Sequence, residues 1–132
     1  MAATNPGMTS LLIVEDEPET LQILATILAR KYPDLMVHAA GNGIDGLALS
    51  ATHAIDLVIS DVTMPDMDGL HMAEQIRTSR PGTRFVFLSG NTEHPRLATF
   101  MAAGNAWAIT KPIMFGQLFD TIDRLRGAAP PA

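Results

Sequence analysis

Asp61 is the residue around which chemistry can be organised. It ends the apolar run DLVISD (Asp56 to Asp61) and opens the turn VTMPDMDG that reaches Gly69. A carboxylate at the tip of a buried strand is costly to desolvate unless a cation or hydrogen-bond donors meet it. Glu15 and Asp16 end a second apolar run, LLIVED (Leu11 to Asp16), with Glu17 behind them. Acids brought to one place from two strand ends repel each other, and a divalent cation is the usual remedy. Asp16, Asp61, Glu15 and a backbone carbonyl make an all-oxygen set of the kind Mg²⁺ accepts while keeping several waters. Lys111, after the run AWAIT, supplies a mobile positive charge, and Ser89, at the end of RFVFLS, supplies a hydroxyl donor. Together with Mg²⁺ they would surround a group rich in negative oxygen, as phosphoryl-transfer sites do. Asp61 would then be the nucleophile, carrying a phosphoryl group as an acyl phosphate.

These groups meet only if the elements beneath them are ordered to bring strand ends together. Five apolar runs of strand length stand in the chain: LLIVED, MVHAA (Met36 to Ala40), DLVISD, RFVFLSG (Arg84 to Gly90) and AWAIT (Ala106 to Thr110). Between and after them lie helical stripes: Leu21, Leu24, Ala25 and Leu28; Ile44, Leu47, Ala48 and Ala51; Leu70, Ala73, Ile76 and Arg77; Leu97, Phe100 and Met101; Phe115, Leu118, Phe119, Ile122 and Leu125. The pattern is (βα) repeated five times. Runs so continuously apolar are expected to be buried on both faces, which predicts a doubly wound, five-stranded parallel α/β sheet with helices on each side. Pro18 suits the first turn of helix one, Asp68-Gly69 starts helix three, and RPGT separates helix three from strand four. With the flavodoxin-like order 2-1-3-4-5, strands one, three, four and five are contiguous and their carboxyl ends share one edge, the usual place for a site.

Composition narrows the class. The chain has 132 residues, is 47% hydrophobic and carries a formal net charge of -5. That suits one globular domain with a full core, and without a Lys/Arg cluster it is not expected to bind nucleic acid directly. Cysteine is absent, so thiolate metal sites and disulfides are excluded, in keeping with a reducing cytoplasm. The opening MAATNPGMTS has neither the charged region nor the apolar run of a signal peptide, and LLIV is too short to cross a bilayer. The expected organisation is a disordered extension over 1–9, a domain over 10–126, and a Pro/Ala tail or linker over 127–132. A cytoplasmic location without membrane attachment follows from the same reading.

LLIVEDEP, DLVISDVTMPDMDGL, FVFLSG and AWAITKP, with AGNGIDGLAL at the second helix, occur in the order and spacing of the receiver domains of two-component response regulators, and the chain resembles that family over roughly residues 10 to 126. The resemblance implies that Asp61 accepts a phosphoryl group from a histidine of a sensor kinase or histidine phosphotransfer protein. It implies Mg²⁺ bound directly by Asp16 and Asp61, through water by Glu15, and by the backbone carbonyl of Thr63. Ser89 would donate to the phosphoryl group and Lys111 would pair with it, with the Lys111-Pro112 peptide cis. Trp107, four residues before Lys111, is assigned to the switch aromatic that turns inward as Ser89 is drawn to the phosphoryl group. Helix four, strand five and helix five would carry the signal to a downstream protein, around Arg96 to Ala106 and Phe115 to Arg124, and a phosphorylation-dependent dimer is among the arrangements the resemblance allows. The domain would catalyse only its own phosphorylation and dephosphorylation, and is not otherwise expected to be an enzyme.

Departures from the family pattern are Trp107 in place of Tyr or Phe, and Gly90 where Ala is common. Thr63 and Asn91 lie at variable positions that tune the phosphoryl lifetime. The histidines His38, His53, His71 and His94 show no ligand-like pairing and are read as structural or surface residues. Other functions fit less well. A nucleotide- or flavin-binding module needs a phosphate cradle after strand one, where EDEPET stands. An aspartyl phosphatase would need an acid two residues past Asp61, where Thr63 stands. A phosphorylation-independent pseudo-receiver acting as a protein-interaction module is the remaining alternative, and it would have no need of the acids.

Overall fold

The computed structural model describes residues 7–90 and 95–127. Its elements run β1 (Ser10–Val14), α1 (Pro18–Lys31), β2 (Met36–Ala40), α2 (Gly43–Thr52), β3 (Leu57–Asp61), α3 (Gly69–Ser79), β4 (Arg84–Ser89), α4 (Pro95–Ala102), β5 (Ala106–Thr110) and α5 (Phe115–Gly127). All neighbouring strands pair in parallel, in the order β2-β1-β3-β4-β5. The flavodoxin-like topology expected from the sequence is the one present.

The sheet divides the core in two because successive side chains of a strand leave opposite faces. Leu11, Ile13, Leu57, Ile59, Val86, Leu88 and Ile109 face Leu24 and Leu28 of α1 and Leu118, Ile122 and Leu125 of α5. Leu12, Val14, Val58, Phe85 and Phe87 face Leu70, Ala73 and Ile76 of α3 and Leu97 and Phe100 of α4. Phe100 meets Phe85 and Phe87 edge-on, with ring centres 5.3 and 5.4 Å apart. Strands β1, β3 and β4 are buried along their whole length, as continuous apolar composition requires. The two edge strands depart from that expectation: Met36 of β2 is 63% exposed, and Trp107 and Ala108 of β5 are half-buried, because an edge strand has a neighbour on one side alone.

Local signals account for the helix starts. Pro18 occupies the first turn of α1, where its missing N–H costs nothing. Asn42 caps α2 by accepting from the Asp45 N–H at 2.7 Å, and Asp68 caps α3 by accepting from the His71 N–H at 2.7 Å. The chain is ordered earlier than expected. Met8 is buried in the core, and the Thr9 N–H and hydroxyl both donate to Asp56 Oδ2, at 2.8 and 3.1 Å. At the other end α5 continues to Gly127, one residue past the expected limit. Asn91, His94, residues 1–6 and the tail from 128 lie outside the described residues.

Candidate functional site

The carboxyl ends of β1, β3, β4 and β5 converge as the topology demands. Glu15 follows the last residue of β1, and its N–H donates to the Ala40 carbonyl at the end of β2 (3.1 Å), so the loop leaves the sheet at a fixed point. Asp61 is the last residue of β3, paired with Leu88 in the ladder. The ladder continues past its strands: the Val62 N–H donates to the Leu88 carbonyl at 3.3 Å, and the Lys111 N–H to the Ser89 carbonyl at 2.8 Å. Backbone pairing therefore carries Lys111 to the mouth of the site.

Glu15, Asp16 and Asp61 each offer a carboxylate oxygen, and these oxygens lie within 4.8 Å of one another. Glu15 and Asp61 are 4% and 3% exposed, while Asp16 faces solvent. Lys111 Nζ stands 2.7 Å from Asp61 Oδ1. A cleft of about 290 Å³ opens beside this pair, lined by Asp61, Val62, Thr63, Leu88, Ser89, Gly90 and Lys111.

Electrostatics follow from the crowding. Burial first, then the hydrogen bond and negative charge of Asp61, push the Glu15 carboxyl up to about 8. At Lys111 burial acts to lower the pKa, but the hydrogen bond to Asp61 and the charges of Asp61, Glu15 and Asp16 outweigh it and hold the ammonium above its ordinary value. Asp61 Oδ1 is buried, and apart from the Lys111 ammonium it has no partner among the described residues. A buried carboxylate oxygen with that much unmet demand, two further carboxylates beside it and one of them open to water fit a small hard cation that keeps part of its hydration shell.

Sequence reasoning missed how tightly the turn after Asp61 is closed. The Gly69 N–H donates to the Val62 carbonyl at 2.8 Å, and a Cβ on Gly69 would stand 1.9 Å from the Asp61 carbonyl oxygen. That oxygen also accepts from the Ser60 hydroxyl at 2.8 Å. The Asp-Gly pair of the sequence signals a helix start, but the close approach becomes visible only once α3 is folded back onto β3. The Lys111-Pro112 peptide is cis, as the resemblance implies.

One expected role does not fit the register. Trp107 is opposite Val86 in the β4–β5 ladder and packs against the cluster of α1 and α5. Ser89 is opposite Thr110, one residue out of phase with Trp107, so its side chain leaves the other face of the sheet. On the Ser89 face β5 presents Ala106, Ala108 and Thr110, and Ala108, paired with Phe87, packs against the α3/α4 cluster. An inward turn of Trp107 toward Ser89 would have to pass through the sheet, so the switch role expected of Trp107 does not fit, and the β5 residues on the Ser89 face include no aromatic.

Comparison with known proteins agrees with this geometry. A family model described as the response regulator receiver domain matches residues 11–123. The sensor kinase CckA of Brucella abortus is 29% identical over 121 residues, covering 90% of this chain and 13% of that protein. The transcriptional regulatory protein GlrR of Escherichia coli is 30% identical over 122 residues, covering 92% of this chain and 27% of that protein. The chain thus spans well under two thirds of these curated relatives. Among solved structures, the response regulator TrrA of Thermotoga maritima, in complex with Mg²⁺ and BeF, superposes with a TM-score of 0.76 at 26% identity, over 89% of this chain and 99% of that one. The Vibrio cholerae chemotaxis protein CheY4 gives 0.78 at 26% identity, over 89% and 98%. With the five-stranded order, the acid cluster and the family match in agreement, the chain belongs to the response-regulator receiver-domain family of two-component systems.

Proposed function

We propose that this receiver domain accepts a phosphoryl group on Asp61 from a phosphohistidine of a sensor kinase or histidine phosphotransfer protein, with Mg²⁺ as the metal. The observation that carries the proposal is the set of three carboxylates within 4.8 Å of one another, one of them ion-paired with Lys111 at 2.7 Å beside an open cleft. An Asp61 carboxylate oxygen forms the new O–P bond as the N–P bond of the donor breaks. The imidazole leaves with the electron pair of that bond and takes up a proton from solvent, and Asp61 is left as an acyl phosphate. Lys111 is positioned to trade its Asp61 partner for a phosphoryl oxygen, and the Ser89 hydroxyl lines the cleft that the group would enter. Asp16, Asp61 and Glu15 (through water), with the Thr63 carbonyl, would hold Mg²⁺, which supplies charge neutralisation at the transferring phosphoryl oxygens. No turnover of an external substrate is expected, because Thr63 stands two residues past Asp61, where an aspartyl phosphatase would carry its second acid.

The test is intact mass after incubation with acetyl phosphate and Mg²⁺. One phosphoryl adduct per chain, absent without Mg²⁺ and absent in Asp61→Asn, is the expected result; an unmodified wild type under every donor tried would favour the pseudo-receiver reading. Ala108 on the Ser89 face is the observation that keeps this second reading alive, since it removes an aromatic relay on β5 without touching the acids. For output, the α4–β5–α5 face remains the proposed surface for a downstream protein. Charge reversals within Arg96 to Ala106 and Phe115 to Arg124 should weaken partner capture by the phosphorylated form and leave the adduct intact.

A further inference from the structure

The fold pairs two histidines that stand apart in the chain. His38 lies at the centre of β2 and His53 caps the C-terminus of α2; their ring centres are 4.4 Å apart, with planes inclined at 31°. Both backbones are anchored. His38 is held opposite Leu12 in the sheet ladder. At His53 the N–H donates to the Leu49 carbonyl at 2.9 Å and the carbonyl accepts from the Ile55 N–H at 3.0 Å. His38 is half-buried and His53 exposed, so solvent reaches the pair. No hydrogen bond or ion pair with another described residue engages either ring, which leaves their nitrogens available to a ligand.

We propose that His38 and His53 form a two-nitrogen chelate for a first-row divalent transition metal, Cu²⁺ foremost and Ni²⁺ next, separate from the carboxylate site. Imidazole nitrogen suits these ions, and Cu²⁺ heads their order of affinity, whereas Mg²⁺ seeks oxygen. Spacing supports the chelate. With metal–nitrogen bonds of about 2.0 Å, two imidazoles in cis positions on one ion have ring centres roughly 4.5 to 5 Å apart, the lower end belonging to angles near 90°. The 4.4 Å separation lies close to that range, so the two rings stand near enough to share one ion. A turn of each ring about its Cβ–Cγ bond exchanges face contact for edge-on chelation, so stacking and metal binding are alternatives at one place. Water completes the coordination on the solvent side of the edge strand. The two sites then sort metals by donor chemistry: oxygen at the strand ends, nitrogen at the sheet edge.

The experiment is a Cu²⁺ titration followed by electron paramagnetic resonance and calorimetry, with Mg²⁺ saturating so that the carboxylates do not compete. Wild type should bind one Cu²⁺ with hyperfine coupling to two imidazole nitrogens. His38→Gln and His53→Gln should each bind at least tenfold more weakly, and His71→Gln should match wild type. Should a variant fail to fold, the wild-type ring resonances serve instead: substoichiometric Cu²⁺ should broaden those of His38 and His53 before that of His71. Unchanged affinity in both Gln variants, a spectrum without two-nitrogen coupling, or broadening that begins elsewhere would overturn the site and leave the pair as an aromatic stack alone.

Discussion

Glu15 is the side chain whose behaviour the arrangement specifies most sharply. Its carboxyl titrates near 8 in the fold against an ordinary value of 4.5, because burial and Asp61 both oppose its charge. The folded chain therefore keeps a proton that the unfolded chain releases between those two values. The stabilisation from that proton is fully present below about 4.5 and is lost as pH rises through about 8. In metal-free buffer the urea midpoint of the wild type should fall across this window, and the Glu15→Gln variant should lack this component of the decline. The same proton competes with a cation, so Mg²⁺ affinity should rise with pH over the window and calorimetry should record proton release. Lys111→Met tests the opposing charge: with Lys111 38% exposed in its side chain, its loss should cost about 2 kcal/mol without Mg²⁺, and less with it. The acids, Ser89 and Lys111 were legible in the sequence because each terminates an apolar run. The phase of Trp107 was not, because every residue of Ala106 to Ile109 is apolar and alternation leaves no mark in such a run.

At the level of elements, the seam between β3 and α3 couples the backbone of Asp61, the proposed nucleophile, to a helix. A methyl group on Gly69 cannot coexist with the Asp61 carbonyl where it now lies. Gly69→Ala should cost about 2 to 4 kcal/mol, at the upper end of overpacking penalties, and should slow adduct formation as well, since the displaced atom belongs to Asp61 itself. Asp68→Ala removes the α3 cap and the 3.0 Å ion pair with Arg96 of α4, and about 1 kcal/mol is expected from the cap. It should leave Asp61 in place, so a urea series on the two variants, read beside their adduct yields, separates helix loss from displacement of the site. Asp68-Gly69, Asn42 and Pro18 were readable as helix starts because capping is local chemistry. The half-exposure of β2 and β5 was not readable from their composition, because edge position depends on strand order.

On the scale of the whole molecule, cation binding and folding are linked through the same five strands. A ligand that binds the native chain alone adds about 2.7 kcal/mol when present at roughly a hundred times its dissociation constant, so saturating Mg²⁺ should raise the urea midpoint cooperatively, and Asp61→Asn should suppress most of that gain. Strand order was legible because five βα repeats with charged groups at chosen strand ends are consistent with one contiguous edge. The meeting of His38 with His53 was not, because it needs the packing of α2 against β2. The placement of the only tryptophan also has an optical meaning. With its indole on the α1/α5 side of the sheet and Ser89 on the other, Trp107 emission is a gauge of folding that phosphorylation should barely disturb. A chain carrying Trp107→Phe together with Ala108→Trp would move the chromophore across the sheet, so that one protein fluoresces with its stability and its sibling with its signalling state.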